Sequence, residues 1–353
     1  MQPKMKIVSC FLYGFFSLVL AFPQYKFENP VIFGKAQGVL FNDLRGLKKG
    51  PDGFMWMGSS EGICRFDGQV LKAFKLTENY NMAPFTNSVL CVLPVENEIW
   101  AGTTQGVSVM DTRTYTFRHY QFTDNEKSKT IKKHVDQHVH VLFRDRSGKI
   151  WVGTRNRGVY MYDRENDNFR AFHYKRDQFP ALFPALGSDN AVLSMEASQT
   201  NDSIIWAGTS AGMQEINKYT GHVTLYVYPK DNKDYQVALN AFRRLYHHDN
   251  GLLYVGSWAA GVNVFDPVTK TFTPITSTHE SGKRLLNSAV SGIHRKSDHE
   301  IWITSLLGLA VYDSQLKDVT WYKFNNNVDN KFYGVDVIDE KNRVWLTTIV
   351  GLQ

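Results

Sequence analysis

Two short turns carry the side chains best suited to hold a ligand. They are Arg155-Asn156-Arg157 and Ser257-Trp258-Ala259-Ala260. Paired guanidinium groups suit a carboxylate or a sulfate, because each presents a rigid planar fork of donors. A tryptophan beside them offers a flat apolar platform for a sugar ring. The plainer readings are arginines that are merely solvated and an indole that packs on a neighbouring element. Asp136-x-His138-x-His140 is the other chemical pattern. Side chains alternate along a strand, so the three fall on one face. A metal there would also need a second shell to orient its ligands, and a partly exposed strand edge satisfies the same pattern. His247-His248 faces opposite sides and is weaker. No catalytic motif stands out. Neither a metal nor a cofactor is expected.

Both turns belong to a larger pattern. Arg155 follows Ile150-Trp151-Val152-Gly153-Thr154 and leads to Gly158-Val159-Tyr160-Met161-Tyr162-Asp163. The same string begins at Trp56, Trp100, Trp206, Tyr254, Trp302 and Trp345. These seven anchors are spaced between 43 and 55 residues apart, the period of a repeat architecture. In five of the six complete copies the residue two beyond the anchor is glycine (Gly58, Gly102, Gly153, Gly208, Gly256), while Thr304 and Thr347 replace it in the last two copies. A glycine there lets a neighbouring side chain approach the backbone, so the last two contacts should be looser. A second glycine supplies a positive φ for a tight turn. The Asp or Asn that ends the string closes the next turn on its own backbone. Most of the intervening turns are small, such as Thr103-Thr104-Gln105. The two ligand candidates are each a residue longer, and repeat proteins tend to place such insertions on a binding face.

Each copy reads as four short strands: an apolar strand, the anchor strand, an alternating strand and an aromatic one. This predicts an all-β fold, a seven-bladed β-propeller over residues 38–353. The blades lie near 38–77, 87–122, 138–176, 190–229, 240–275, 287–325 and 332–353. The last copy keeps its first and anchor strands and should lack the third. Val31-Ile32-Phe33, within a closing segment at 22–37, could supply its outer strand. A polar residue recurs ahead of most first strands: Asn42, Asn87, Asn190, Asn240 and Asn287, with His138 in the third copy. Such residues could bind a ligand, but more often cap strand ends and bond to the neighbouring blade.

Composition is that of a globular protein, 43% hydrophobic and 14% aromatic, with a formal net charge of +6. Residues 1–21 read as a secretory signal, with Lys4 and Lys6 ahead of an apolar run too short for a membrane span. Cleavage would leave a mildly basic chain with two cysteines, Cys64 and Cys91, read as buried free thiols. Nothing points to nucleic acid.

The string W-φ-G-T-x-x-G-φ-x-φ-φ-D, preceded by D-x-x-G, resembles the two-component regulator propeller repeat. The opening from Gly38 through Gly53-Phe54-Met55-Trp56-Met57-Gly58 to Asp67-Gly68 looks like the first blade of such sensors, and the resemblance covers nearly everything after residue 30. It implies the periplasmic sensor part of a hybrid histidine kinase, a non-enzymatic domain that detects glycan fragments and controls glycan-use genes. It further implies an oligosaccharide ligand, acidic if the arginines take part. A membrane would be met only through parts absent from this chain, and a homodimer would form in the full-length context. No kinase histidine box, ATP lid or receiver domain occurs in the 353 residues. An enzyme on the same fold, a polysaccharide lyase or glycosidase, is the alternative. A channel mouth of aromatic and arginine side chains would favour the sensor, and clustered acids with a base the enzyme.

Overall fold

Trp56, Trp100, Trp151 and Trp206 are each no more than 2% exposed, and Tyr254 and Trp302 are also buried. Burying a side chain of that size contributes on the order of 4–6 kcal/mol, so the anchors determine where the sheets stack. The structure is a computed structural model that describes residues 44–76, 87–122, 137–172, 191–228, 241–275, 285, 288–305, 308–322, 332–338, 344–348 and 351–352. The expected export signal and the closing segment at 22–37 lie outside these residues.

The strands form seven antiparallel sheets, six of four strands and one of three. Each is a meander in chain order. The third blade is typical, with strands Val139–Arg144, Ile150–Thr154, Val159–Asp163 and Asn168–Phe172. The first strands of successive sheets touch one another around a ring, and the first strand of the first sheet, Arg45–Lys49, touches that of the seventh, Phe332–Ile338. Those seven strands therefore surround a central channel. The seventh sheet corrects one expectation. Its third strand is present in short form, because Gly351–Leu352 pairs with Thr347 and Thr348.

The core lies between blades. Trp151, Val159 and Phe172 of the third pack on Val192, Ile205, Ala207 and Ile216 of the fourth. Gly153 explains how closely they approach. A Cβ added there would come within 2.5 Å of Val192 Cγ1, on the next blade's first strand. Gly58, Gly102, Gly208 and Gly256 meet Val89, Val139, Phe242 and Val290 in the same way. Thr304 is fully buried. The turn glycines take the positive φ expected of them, from +58° at Gly261 to +148° at Gly212. Asp67, Asp111, Asp163, Asn217, Asp266 and Asp313 each accept backbone N–H groups from the turn that follows.

The hydroxyl after the first glycine also has a fixed task. Thr103 Oγ1 donates to Gly106 O at 3.0 Å and accepts Gln105 N–H at 3.0 Å. Ser59, Thr154 and Thr209 do the same in their own blades. This clamp sets the turn between the second and third strands, the turn that carries the ligand candidates.

Candidate functional site

In the second and third blades the polar residue ahead of the first strand fastens the chain at the end of the blade where those turns lie. Asn87 Oδ1 accepts Leu76 N–H at 2.8 Å, from the segment leaving the first blade. In the third blade the equivalent residue is Gln137, not His138. Gln137 accepts Phe122 N–H and donates to Phe122 O, both at 2.9 Å. Both side chains thus act as blade-to-blade ties. Asn42, Asn190, Asn240 and Asn287 lie outside the described residues.

The first strands share an irregularity. Pairing with the anchor strand slips between Val89 and Cys91, Val192 and Ser194, Phe242 and Arg244, and Val290 and Gly292, and likewise between Val139 and Val141. One residue is extruded at each slip: Leu90, His140, Leu193, Arg243 and Ser291. A bulge of this kind bends the strand and re-aims a side chain. The same bulge recurs at this point of the first strand in the second to sixth blades. The bulge position is close to the turn of the same blade, since Trp258 N donates to Ala241 O at 3.1 Å and Arg155 N to His138 O at 2.9 Å.

In the fifth blade these two features meet. Trp258 is 50% exposed, unlike the buried anchors. The Arg243 guanidinium lies 4.3 Å from the Trp258 ring centroid, so the indole packs within its own blade. Burial, together with the charge of adjacent Arg244, pushes Arg243 down to about 10. It remains a cation at neutral pH. Ser257 is fully buried, and its Oγ accepts Ala260 N–H at 2.6 Å, so it shapes the turn instead of facing solvent.

The third blade is arranged differently. Arg155 and Asn156 are exposed. Arg157 is buried, and its Nε donates to Tyr160 Oη at 3.3 Å. Of the expected arginine pair, then, one arm points to solvent and the other supports the turn. The two turns lie on the same rim, two blades apart. Sequence reasoning missed Arg243, because its register against the anchor strand could not be read from alternation alone.

Deeper in the channel wall lies Glu196, on the fourth blade's first strand Val192–Ala197. Burial raises its carboxyl to about 8, opposed in part by the charges of Lys48 and Arg146. Lys48 belongs to the first blade, so its charge acts on Glu196 across the ring. His138 and His140 have interactions of their own, and Asp136 of the same pattern lies outside the described residues. Cys64 and Cys91 are free thiols. Cys64 is buried as expected, whereas Cys91 is only partly buried; burial of its thiol still pushes Cys91 up to about 12, so it stays protonated at neutral pH.

This arrangement is an all-β propeller. The two component regulator propeller family matches at residues 135–156, which spans the end of the connection, the third blade's first strand and its anchor turn. The chain therefore carries a two component regulator propeller repeat. Histidine kinase P4 of Formosa agariphila is 24% identical over 204 residues, covering 55% of this chain and 14% of the relative. Among solved structures, an extracellular domain assigned to a hybrid two component system of B. thetaiotaomicron superposes with a TM-score of 0.69 at 22% identity, covering 92% of this chain and 41% of that one. Virginiamycin B lyase from Staphylococcus aureus superposes with a TM-score of 0.64 at 10% identity, covering 88% and 93%. The chain thus spans about a seventh of the kinase and well under half of the solved sensor domain.

Proposed function

We propose that this chain is an exported, periplasmic ligand-sensing propeller of a two-component regulatory receptor, and that its ligand is an oligosaccharide held at the channel mouth. The site comprises Arg155, Asn156 and Arg157 on the third blade and Ser257 and Trp258 on the fifth. Arg155, Asn156 and Trp258 face the ligand, while Arg157 and Ser257 hold the turns in shape. Trp258 carries the proposal. Among the described residues of the recurring turn, it is the one whose large apolar surface is half exposed, and a sugar ring covers such a surface by stacking. The shared fold of the B. thetaiotaomicron sensor domain supports the reading. A glycan array with the mature chain tests it, followed by calorimetry of Trp258→Ala against the best-binding glycan. The variant should bind more weakly by about 1–3 kcal/mol. Equal affinity would remove the ligand from the fifth blade.

One observation favours a second reading. Glu196 is a channel carboxyl whose raised pKa suits proton transfer near neutral pH, and the lyase shares this fold. A propeller lyase or glycosidase would cleave the glycans it binds, and Glu196→Gln would abolish cleavage. Intact glycans after long incubation would dismiss this reading.

A further inference from the structure

The bulge position is occupied by Arg243 on the fifth blade and by Ser291 on the sixth. Successive first strands touch around the ring, so the two bulge positions lie on adjacent strands. Arg244 joins them, since its Nε donates to Ser291 O at 2.5 Å and its Nη1 to Arg243 O at 2.8 Å. Ser291 is only 5% exposed, and its Oγ has no hydrogen-bond partner among the described residues. Arg243 likewise meets no carboxylate among the described residues, and its guanidinium lies over the Trp258 ring. A desolvated guanidinium and an unpaired hydroxyl each cost stability unless something completes them. A ligand that brings two or three acceptor oxygens would complete both.

We propose that Arg243, Arg244 and Ser291 form an oxyanion subsite that takes the carboxylate or sulfate of a ligand whose ring lies against Trp258. This rests on the reading of Trp258 as a sugar platform and assigns the charged end of the ligand to the fifth and sixth blades, not to the exposed arginine of the third. The depressed pKa of Arg243 agrees with it, because a cation held among apolar neighbours beside a second cation gains most from an anion. The fork of a guanidinium fits either oxyanion in a bidentate manner.

Calorimetry at constant ionic strength separates the possibilities, using the whole chain with sodium glucuronate, methyl glucoside and sodium sulfate as probes. Glucuronate should bind at least tenfold more tightly than methyl glucoside. Arg243→Gln should remove that preference, Arg243→Lys should keep only part of it, and Ser291→Ala should weaken anion binding severalfold. Trp258→Ala should weaken glucuronate and leave sulfate unchanged. Sulfate binding without glucuronate binding would identify a sulfate ester as the natural group, and the reverse a uronate. If Arg243→Gln fails to fold, Arg243→Lys and Ser291→Ala decide the matter. Equal glucuronate and methyl glucoside affinity, with both still dependent on Trp258, would overturn the subsite and leave the sugar platform standing. Anion binding unchanged in Arg243→Lys and Ser291→Ala, or no anion binding at all, would also overturn it.

Discussion

Lys218 of the fourth blade reaches into the third and places its Nζ 3.4 Å from Asp145 Oδ2, the same oxygen that accepts the Trp151 indole N–H at 3.0 Å. The anchor of one blade is thereby tied to its neighbour through a shared carboxylate. Asp145 also accepts Ser147 Oγ–H and Lys149 N–H, and Lys218 meets the exposed Asp202 at 3.0 Å. Both side chains of the Lys218–Asp145 pair are almost fully buried. Removing one partner of a buried pair leaves the other charge uncompensated, which typically costs about 3–5 kcal/mol. Lys218→Met should therefore destabilise the chain strongly, measured as a lower denaturant midpoint at unchanged slope. Lys218→Met with Asp145→Asn should recover part of that loss. A double variant no better than the single one would mean that the tie acts by packing alone.

Two kinds of glycine can be told apart by substitution. At Gly153 the barrier is space, since a Cβ would lie 2.5 Å from Val192 Cγ1 and 3.2 Å from Val141 Cβ. Gly153→Ala should cost about 1–3 kcal/mol by overpacking, and Val192→Ala in the same chain should relieve it. At Gly53 the barrier is backbone alone, with φ at +82° and no atom within 4 Å of the added Cβ. Gly53→Ala should cost about 1 kcal/mol, and no neighbouring substitution should rescue it. Unfolding curves of the three variants check both statements.

His247 gives the fold a pH dependence on the acid side. Its Nδ1 accepts Gln199 N–H at 3.0 Å from the fourth blade, and its Nε2 faces Gly251 O at 3.1 Å. Burial lowers its pKa from the ordinary 6.5, with the charges of Arg146 and His248 adding to the effect. The neutral ring therefore contributes stability that is complete above 6.5 and is lost as pH falls toward the folded value. Melting midpoints should decline below that pH, and the decline should be shallower in His247→Gln. Parallel curves would place the acid sensitivity elsewhere.

What the sequence revealed, and what it hid, follows the range of the interactions. The anchors, both glycine series and the Asp-closed turns were legible because each depends on residues within one blade, or on a contact repeated in every blade. The polar caps were legible as a series, but the third blade's member was misplaced by one residue. His138 stands where only the hydrogen bonds of Gln137 with Phe122 identify the correct position. Lys218 and Asp145 are 73 residues apart; a carboxylate on the anchor indole recurs at Asp52 and Glu98, but the buried pair with a lysine of the next blade does not recur among the described residues. Arg243 was hidden for a different reason. Period-two reading assumes an unbroken register, and the bulge at Phe242–Arg244 breaks it. At the site itself, the exposure of Trp258 was open to two readings, and the burial of Arg157 depended on Tyr160, three residues along and on the next strand.

Glu196 supplies the opposite pH dependence. Its carboxyl is raised from an ordinary 4.5 to about 8 by burial, with the charges of Lys48 and Arg146 and a backbone N–H at Ala197 opposing the rise. Tyr246, on the next blade's first strand, has its own pKa raised to about 12, chiefly by burial and in part by the Glu196 charge. A folded value above the unfolded one means that the native chain holds a proton the unfolded chain releases. The resulting stability is complete below about 4.5 and is lost as pH rises through about 8. A single proton changes stability by at most about 1.4 kcal/mol per pH unit. Glu196→Gln keeps the shape and cannot ionise, so it should match the wild type in mildly acidic solution and surpass it in melting midpoint above pH 8. A variant less stable than the wild type at alkaline pH would show instead that Lys48 holds Glu196 ionised across the channel.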